Sequence, residues 1–129
     1  MNAEANAVPQ DVLDAFHMMW NLHPAPVFLL RADRTILAVN EAARDLGIPV
    51  QTKCHALIGL DKPCPHCLAN QALRDKRARR SLGYSEARGC FMDGYWTPVA
   101  GAEQYYIHYG NDISQCVRED LLRPGARCD

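Results

Sequence analysis

The chain has 129 residues, of which 48% are hydrophobic and 8% aromatic, as expected for one globular domain. Its formal net charge is −1, and its basic residues cluster only over the short stretch 74–80, so a broad nucleic-acid-binding face is not expected. The first ten residues lack the pattern of a secretory signal, and no apolar run approaches the ~20 residues that a membrane span needs. We therefore expect a cytoplasmic protein with no nucleic-acid or membrane partner and with its six cysteines reduced.

The first half of the chain predicts a helix, a β-hairpin and a short second helix. Apolar side chains recur at helical spacing over 11–22, which predicts an amphipathic N-terminal helix after a disordered tail at 1–10. Two strand-like runs at 27–30 and 35–39 are separated by four residues, so we expect them to pair as antiparallel strands. Asn40 follows the second run and is a favourable cap for the short helix.

The second half predicts a helix followed by three strands. Pro65 occupies a favourable first position for a helix that continues to about residue 73. The strand candidates are residues 81–87, 90–99 and 104–111. We place the domain at 11–117 and a short C-terminal helix with a tail at 118–129, although the pattern of that helix already begins near residue 113. The element order indicates an α+β fold.

Several short motifs accompany this element order. They are Pro26-Val27-Phe28-Leu29-Leu30, Asp33-Arg34, the run Ile36 to Ala43, Thr97-Pro98-Val99, Asp112-Ile113-Ser114, Lys53-Cys54, Gly59 and Pro63-Cys64-Pro65-His66-Cys67. In this order they resemble the PAS domain over residues 12–117, and the last three resemble a bacterial PAS subgroup with a cysteine motif. The resemblance implies a five-stranded antiparallel sheet with helices across one face, and a sensory, dimerising module that binds a small ligand between the helices and the sheet.

The sequence departs from the patterns of other PAS domains in ways that bear on its cofactors and partners. Cys54 is followed by His55 rather than by the arginine of a flavin-photoadduct motif, and Leu68 follows Cys67 where covalent haem attachment would need a histidine. Both cofactors are therefore disfavoured. The chain ends soon after Pro124 without a long coiled-coil linker, so we expect the output to come from an effector such as a separate histidine kinase.

Three cysteines fall within fourteen residues, and thiolates at such spacing can bind metal. A Cys-x-x-Cys turn places Cys64 and Cys67 on one side of a helical turn, Cys54 would be a third ligand, and Cys90 is the fourth candidate. Zinc or an iron–sulfur cluster would suit four thiolates. Spacing alone does not choose the metal.

The same cysteines could instead form a thiol redox switch. If Cys64 lies at the beginning of its helix, the helix dipole would favour its thiolate, with Lys53 or Lys62 adding positive charge. Cys64 would then attack and Cys67 would resolve. The tetrapeptide also matches that of strongly oxidising thioredoxin-like enzymes, but the residues before it do not predict the strand of a βαβ unit.

Among the five histidines, His66 and His108 are the candidates for contact with a pocket ligand. No pattern predicts catalytic residues. We expect a homodimeric PAS-type sensor, not an enzyme, whose cysteine loop binds metal or switches between dithiol and disulfide. The alternatives are a small thiol–disulfide oxidoreductase that uses Cys64 and Cys67, and a protein-interaction domain without cofactor.

Overall fold

The computed structural model describes residues 8–128, and in that range an antiparallel sheet of six strands forms the centre of the fold. The strand order is β2-β1-β5-β4-β3-β6, so the two halves of the chain meet where β1 pairs with β5. The strands are β1 (Val27–Arg31), β2 (Ile36–Val39), β3 (Arg79–Ser85), β4 (Cys90–Val99), β5 (Ala102–Asp112) and β6 (Arg127–Cys128).

Three α-helices and three short 3₁₀ helices accompany the sheet in the described part of the chain. The α-helices are α1 (Gln10–Trp20), α2 (Glu41–Asp45) and α3 (Ala69–Asp75). The 3₁₀ helices are Cys54–Ile58, Ser114–Cys116 and Glu119–Leu121. None of the helices within residues 8–128 has the length and apolar character to cross a membrane.

The sheet buries apolar side chains on both faces because successive residues of a strand point to opposite sides. On the inner face Phe28 and Leu30 of β1 pack with Tyr106 and with residues of α2 and α3. On the outer face Val27 and Leu29 pack with Phe16 and other residues of α1. The predicted α+β fold is confirmed, and α1 is the element that covers the second face.

The helix predicted to begin at Pro65 begins four residues later, at Ala69. A tight turn occupies the intervening residues, in which the Cys67 N–H donates to the Cys64 carbonyl at 3.0 Å. Leu68, the residue before the helix, has a non-helical backbone. As a result Cys67, and not Cys64, lies next to the beginning of α3.

The predicted short C-terminal helix is replaced by the two 3₁₀ helices Ser114–Cys116 and Glu119–Leu121, and the tail that follows forms a strand. After the 3₁₀ helices the chain returns to the free edge of β3, where Gly83 pairs with Arg127 and the Tyr84 N–H donates to the Ala126 carbonyl at 2.8 Å. The Arg127 guanidinium lies over Gly83, in the space that a Cβ at this position would occupy. Of the predicted N-terminal tail, residues 1–7 lie outside the described residues.

Asn40 connects the elements at one end of the sheet. Its side chain is fully buried, and its Oδ1 accepts hydrogen bonds from the Val27 N–H at 2.9 Å and the Ala43 N–H at 3.1 Å. Its Nδ2 donates to the carbonyls of Trp20, His23 and Ala25. This one amide therefore caps α2 and joins it to β1 and to the end of α1.

We expect Asn40→Ala to destabilise the protein by about 3–5 kcal/mol, because it leaves several buried backbone groups without partners. Urea unfolding monitored by circular dichroism measures the change. Asn21→Ala is the matched control, since Asn21 makes a single long hydrogen bond, to Glu41 at 3.5 Å, and should cost less than about 1 kcal/mol. Equal losses in the two variants would contradict the role assigned to Asn40.

Candidate functional site

A cavity of about 630 Å³ lies against the inner face of the sheet. This volume is within the range of small-molecule pockets, roughly 300–1,000 Å³. Three parts of the chain enclose it against β4 and β5: the cysteine-containing loop, the β3–β4 hairpin and the C-terminal strand. Its lining includes Phe28, Cys54, His55, Leu57, Ile58, Leu60, Cys64, His66, Arg88, Met92, Trp96, His108 and Arg127.

The cysteine loop is attached to the β1–β2 turn by backbone hydrogen bonds. The Cys54 N–H donates to the Arg34 carbonyl at 2.8 Å, and Lys53 forms an isolated bridge with Thr35. The 3₁₀ helix that follows ends at Gly59, whose φ of 78° favours glycine. These contacts hold Cys54 at the cavity wall.

Cys64 and Cys67 act on each other directly across their turn. The Cys64 thiol donates a hydrogen bond to Cys67, which raises the pKa of Cys64 and lowers that of Cys67. The Ala69 N–H and the Arg34 guanidinium lower the pKa of Cys67 further, against the opposing effect of burial. Cys67 is therefore the thiolate of the pair, whereas the helix-dipole argument predicted Cys64. The physical reason is the late beginning of α3.

Arg34 places a positive charge beside this pair. Its exposed fraction is only 6%, and no carboxylate of residues 8–128 forms an ion pair with it. Its guanidinium donates to the Ala32 carbonyl and to the Asn70 Oδ1 at 3.2 Å. In the described part of the chain its Nε has no hydrogen-bond partner. Because a buried cation needs a counter-charge, the Cys67 thiolate fits its surroundings.

The other two candidate ligands differ from this pair in surroundings and charge. Burial raises the pKa of Cys54 to about 11, and the negative charge of Cys67 adds to this, so Cys54 remains a thiol at neutral pH. Cys90 lies at the beginning of β4, where its Sγ is 3.3 Å from the Met92 Sδ. Burial and then the negative charge of Asp112 raise the pKa of Cys90. The structure thus groups Cys54, Cys64 and Cys67 and gives Cys90 other neighbours.

The predicted zinc or iron–sulfur site stays a prediction. Across residues 8–128 no three cysteine, histidine or carboxylate side chains converge closely enough to hold a metal ion. This conformation therefore does not fit such a group.

Both histidines predicted to contact a ligand lie in the cavity wall. His108 is held at its floor: its ring stacks on Trp96 with centroids 4.8 Å apart, and its Nδ1 is 2.8 Å from the Tyr95 carbonyl. A carbonyl only accepts, so Nδ1 carries the proton and Nε2 is left as an acceptor. Burial lowers the pKa of His108 to about 4, and the imidazole is therefore neutral. His66 lies in the cysteine loop at the rim.

Sequence reasoning missed the three arginines of this site. Arg34 was visible only as a turn residue, and its φ of 75° and its burial depend on the folded hairpin. Arg88 and Arg127 line the cavity from the β3–β4 turn and from β6. The local sequence carries no signal for this role, because the direction of the Arg34 side chain is a tertiary property.

No protein-family model matches the chain, and no curated protein sequence matches it. Solved structures do match. The PAS domain of BvgS from Bordetella pertussis is 17% identical, with a TM-score of 0.61 over 88% of this chain and 93% of that one. A sensory box sensor histidine kinase from Vibrio cholerae is 14% identical, with a TM-score of 0.56 over 87% and 95%. A domain of an HTR-like protein from Haloarcula marismortui is 21% identical, with a TM-score of 0.54 over 70% and 98%.

The chain has the PAS fold, as its sequence predicted. The β2-β1-β5-β4-β3 part of its sheet corresponds to the expected five strands, and β6 is added at the edge. In the described residues the segment around Cys64 and Cys67 contains no strand that pairs in parallel, so the βαβ unit of a thioredoxin-like enzyme is not formed there. The fold therefore lacks, in the described residues, the unit on which the thioredoxin-like alternative depends.

We expect stability to fall by about 2 kcal/mol from pH 7 to pH 5 because of His108. Its pKa is lowered from 6.5 to about 4 in the folded protein, so the unfolded chain binds the proton first and stability is lost as the pH falls through that window. Unfolding free energies of the wild type and of His108→Gln at several pH values measure the effect. The variant should show a correspondingly flatter profile, and identical pH profiles would contradict the prediction.

Proposed function

We propose that this protein is a PAS-type sensory module in which Cys64 and Cys67 form a thiol redox switch at the wall of the ligand cavity. The observation that carries the proposal is the grouping of a hydrogen-bonded dithiol with a buried arginine, Arg34, that lacks a carboxylate partner among residues 8–128. A thiolate is the nucleophile of disulfide chemistry, and a nearby cation keeps it ionised.

The switch reacts with a low-molecular-weight disulfide as oxidant. The Cys67 thiolate attacks one sulfur of the oxidant, which forms a mixed disulfide and releases one thiolate. That leaving thiolate takes the proton of Cys64, and the Cys64 sulfur then attacks the Cys67 sulfur and releases the second thiolate. The products are the Cys64–Cys67 disulfide, one thiol and one thiolate, so atoms, charge and electrons balance.

Oxidation changes the charge balance of the inner face. The disulfide removes the anion that faces Arg34, and a buried unpaired guanidinium is costly, so Arg34 and the segments bonded to it shift toward water. One of these segments is α3, whose Asn70 side chain accepts a hydrogen bond from the Arg34 guanidinium. The other is the 3₁₀ helix at the cavity wall, because the Cys54 N–H donates to the Arg34 carbonyl. The switch therefore alters the cavity. A signalling effector such as a histidine kinase reads the change; one structurally similar protein is by its name a sensor histidine kinase.

We expect Cys67 to be alkylated faster than Cys64 by iodoacetamide at pH 6, because only Cys67 is ionised there. Arg34→Gln should slow the reaction of Cys67 roughly 3- to 10-fold by raising its pKa, and Arg34→Lys should restore part of the rate. Mass spectrometry of the modified peptides over a time course measures each rate. The exposed Cys116 serves as an internal reference in every sample.

Arg44→Gln is the matched control, since the Arg44 guanidinium donates to the Val39 carbonyl and lies on the exposed side of α2. It should leave the rate at Cys67 unchanged. Faster reaction at Cys64 than at Cys67, or a Cys64–Cys67 pair that glutathione disulfide does not oxidise, would contradict the switch. Stoichiometric zinc or an iron–sulfur absorbance in protein purified without oxygen would instead support the predicted metal site.

The module acts as a homodimer that α1 holds together. Met18 and Met19 of α1 and Leu22 just after it are among the most exposed large apolar side chains of residues 8–128, and such groups mark association surfaces. We expect Met18→Glu with Met19→Glu to shift a dimer to a monomer in light scattering after gel filtration. Leu46→Glu, at another exposed apolar side chain, should leave the mass unchanged. A wild-type monomer at all concentrations would contradict this assembly.

A further inference from the structure

The cavity contains more positive than negative side chains. Arg88 and Arg127 both line it, and Glu86 is the carboxylate among the lining residues. Neither arginine forms an ion pair with a carboxylate of residues 8–128. The Arg127 guanidinium donates to the Ser81 hydroxyl, which orients it over Gly83 and leaves further N–H groups free. An anion with a planar acceptor group is the natural partner of such a guanidinium.

The floor of the cavity is flat and has little side-chain cover at one place. Gly94 of β4 and Gly110 of β5 are directly paired, and both line the cavity. Glycine inside a strand weakens the sheet and often marks a close approach to the backbone. Beside Gly110 lies the methyl end of Met92, and Trp96 with its stacked His108 continues the floor. A flat apolar ring matches this surface.

From the two arginines and the glycine floor we propose that the cavity binds a small aromatic carboxylate. The ring lies on the floor formed by Gly94, Gly110 and Met92, beneath the apolar side chains of the 3₁₀ helix such as Leu57 and Ile58. The carboxylate accepts hydrogen bonds from Arg127, with Arg88 supplying additional positive charge at the hairpin. This assignment rests on the proposed sensory function and names the chemical class of its ligand.

A ligand held by Arg127 would also contact β6, the last strand of the described chain. Arg127 belongs to a strand that pairs with β3 through two residue pairs only, Leu82 with Cys128 and Gly83 with Arg127. A carboxylate held by Arg127 adds a contact between this strand and the rest of the cavity. Ligand binding therefore stabilises the β3–β6 pairing.

The test uses calorimetric titration of the reduced 129-residue chain with three probes that separate the effect of the ring from that of the charge. Indole-3-acetate has both groups, indole-3-acetamide is the matched neutral molecule, and acetate lacks the ring. We expect saturable binding of indole-3-acetate, at least about 10-fold weaker binding of the amide, and no measurable binding of acetate at ~1 mM. Equal affinity for indole-3-acetate and its amide would overturn the assignment, as would no binding of either.

Variants test the two halves of the site separately. Arg127→Gln and Arg88→Gln should each weaken indole-3-acetate, the former about 10-fold or more, and leave the amide nearly unchanged. Arg123→Gln is the matched control, because its guanidinium donates to the Asp120 carbonyl and it does not line the cavity. Gly94→Ala should weaken both indole probes, because the added methyl group would occupy part of the floor on which the ring lies. The fold should be kept, because a Cβ at this position makes only ordinary contacts, the nearest with Trp96 at 3.7 Å.

The outcomes separate this inference from the proposed redox switch. If indole-3-acetate does not bind while Cys64 and Cys67 still form a disulfide, the ligand assignment fails and the switch stands. If the ligand binds with the expected charge dependence while both thiols are inert, the switch fails and the ligand assignment stands. Unchanged affinity in both arginine variants, with their circular dichroism spectra intact, would overturn the proposed carboxylate site.

Discussion

A buried positive charge without a carboxylate partner in residues 8–128 is the constraint on which the arrangement of this site depends. Arg34 lies in the β1–β2 turn, yet its guanidinium reaches Asn70 at the beginning of α3 and the thiolate of Cys67. Its carbonyl holds Cys54 at the same time. Isolated charges are costly inside proteins, and the contacts of this one residue join the β1–β2 turn to the cysteine loop and to α3.

The two faces of the sheet differ in how completely they are filled. The outer face is closed by α1, which packs on Val27, Leu29 and their neighbours and forms an ordinary apolar core. The inner face is only partly filled, because glycines replace larger side chains on β4 and β5 and because the cysteine loop bridges the gap without closing it. Apolar clusters on both faces and the Asn40 network stabilise the fold, and the unfilled part of the inner face leaves room for a cavity beside the reactive pair.

Local patterns were sufficient wherever an element is determined by neighbouring residues. The strand-like runs of β1 and β2, their antiparallel pairing and the cap at Asn40 all depend on side chains within a few positions, and the structure has each of them. The beginning of α3 was misplaced because Pro65 suits a helix start equally well in a turn that continues to Leu68. The strand at Arg127 was missed because a two-residue strand exists only where a distant edge, here at Gly83, is available to pair.

The α+β order, the PAS resemblance and the proximity of Cys64 and Cys67 all follow from local sequence, since the spacing of a Cys-x-x-Cys turn brings its two thiols close together. Which of the two is the thiolate depends on contacts that form only in the folded protein. That choice depends on the Cys64 hydrogen bond, the Ala69 N–H and the charge of Arg34, which lies 33 positions before Cys67 in the chain. Electrostatic effects on a pKa depend on distance through space and on burial, and neither is written in local sequence.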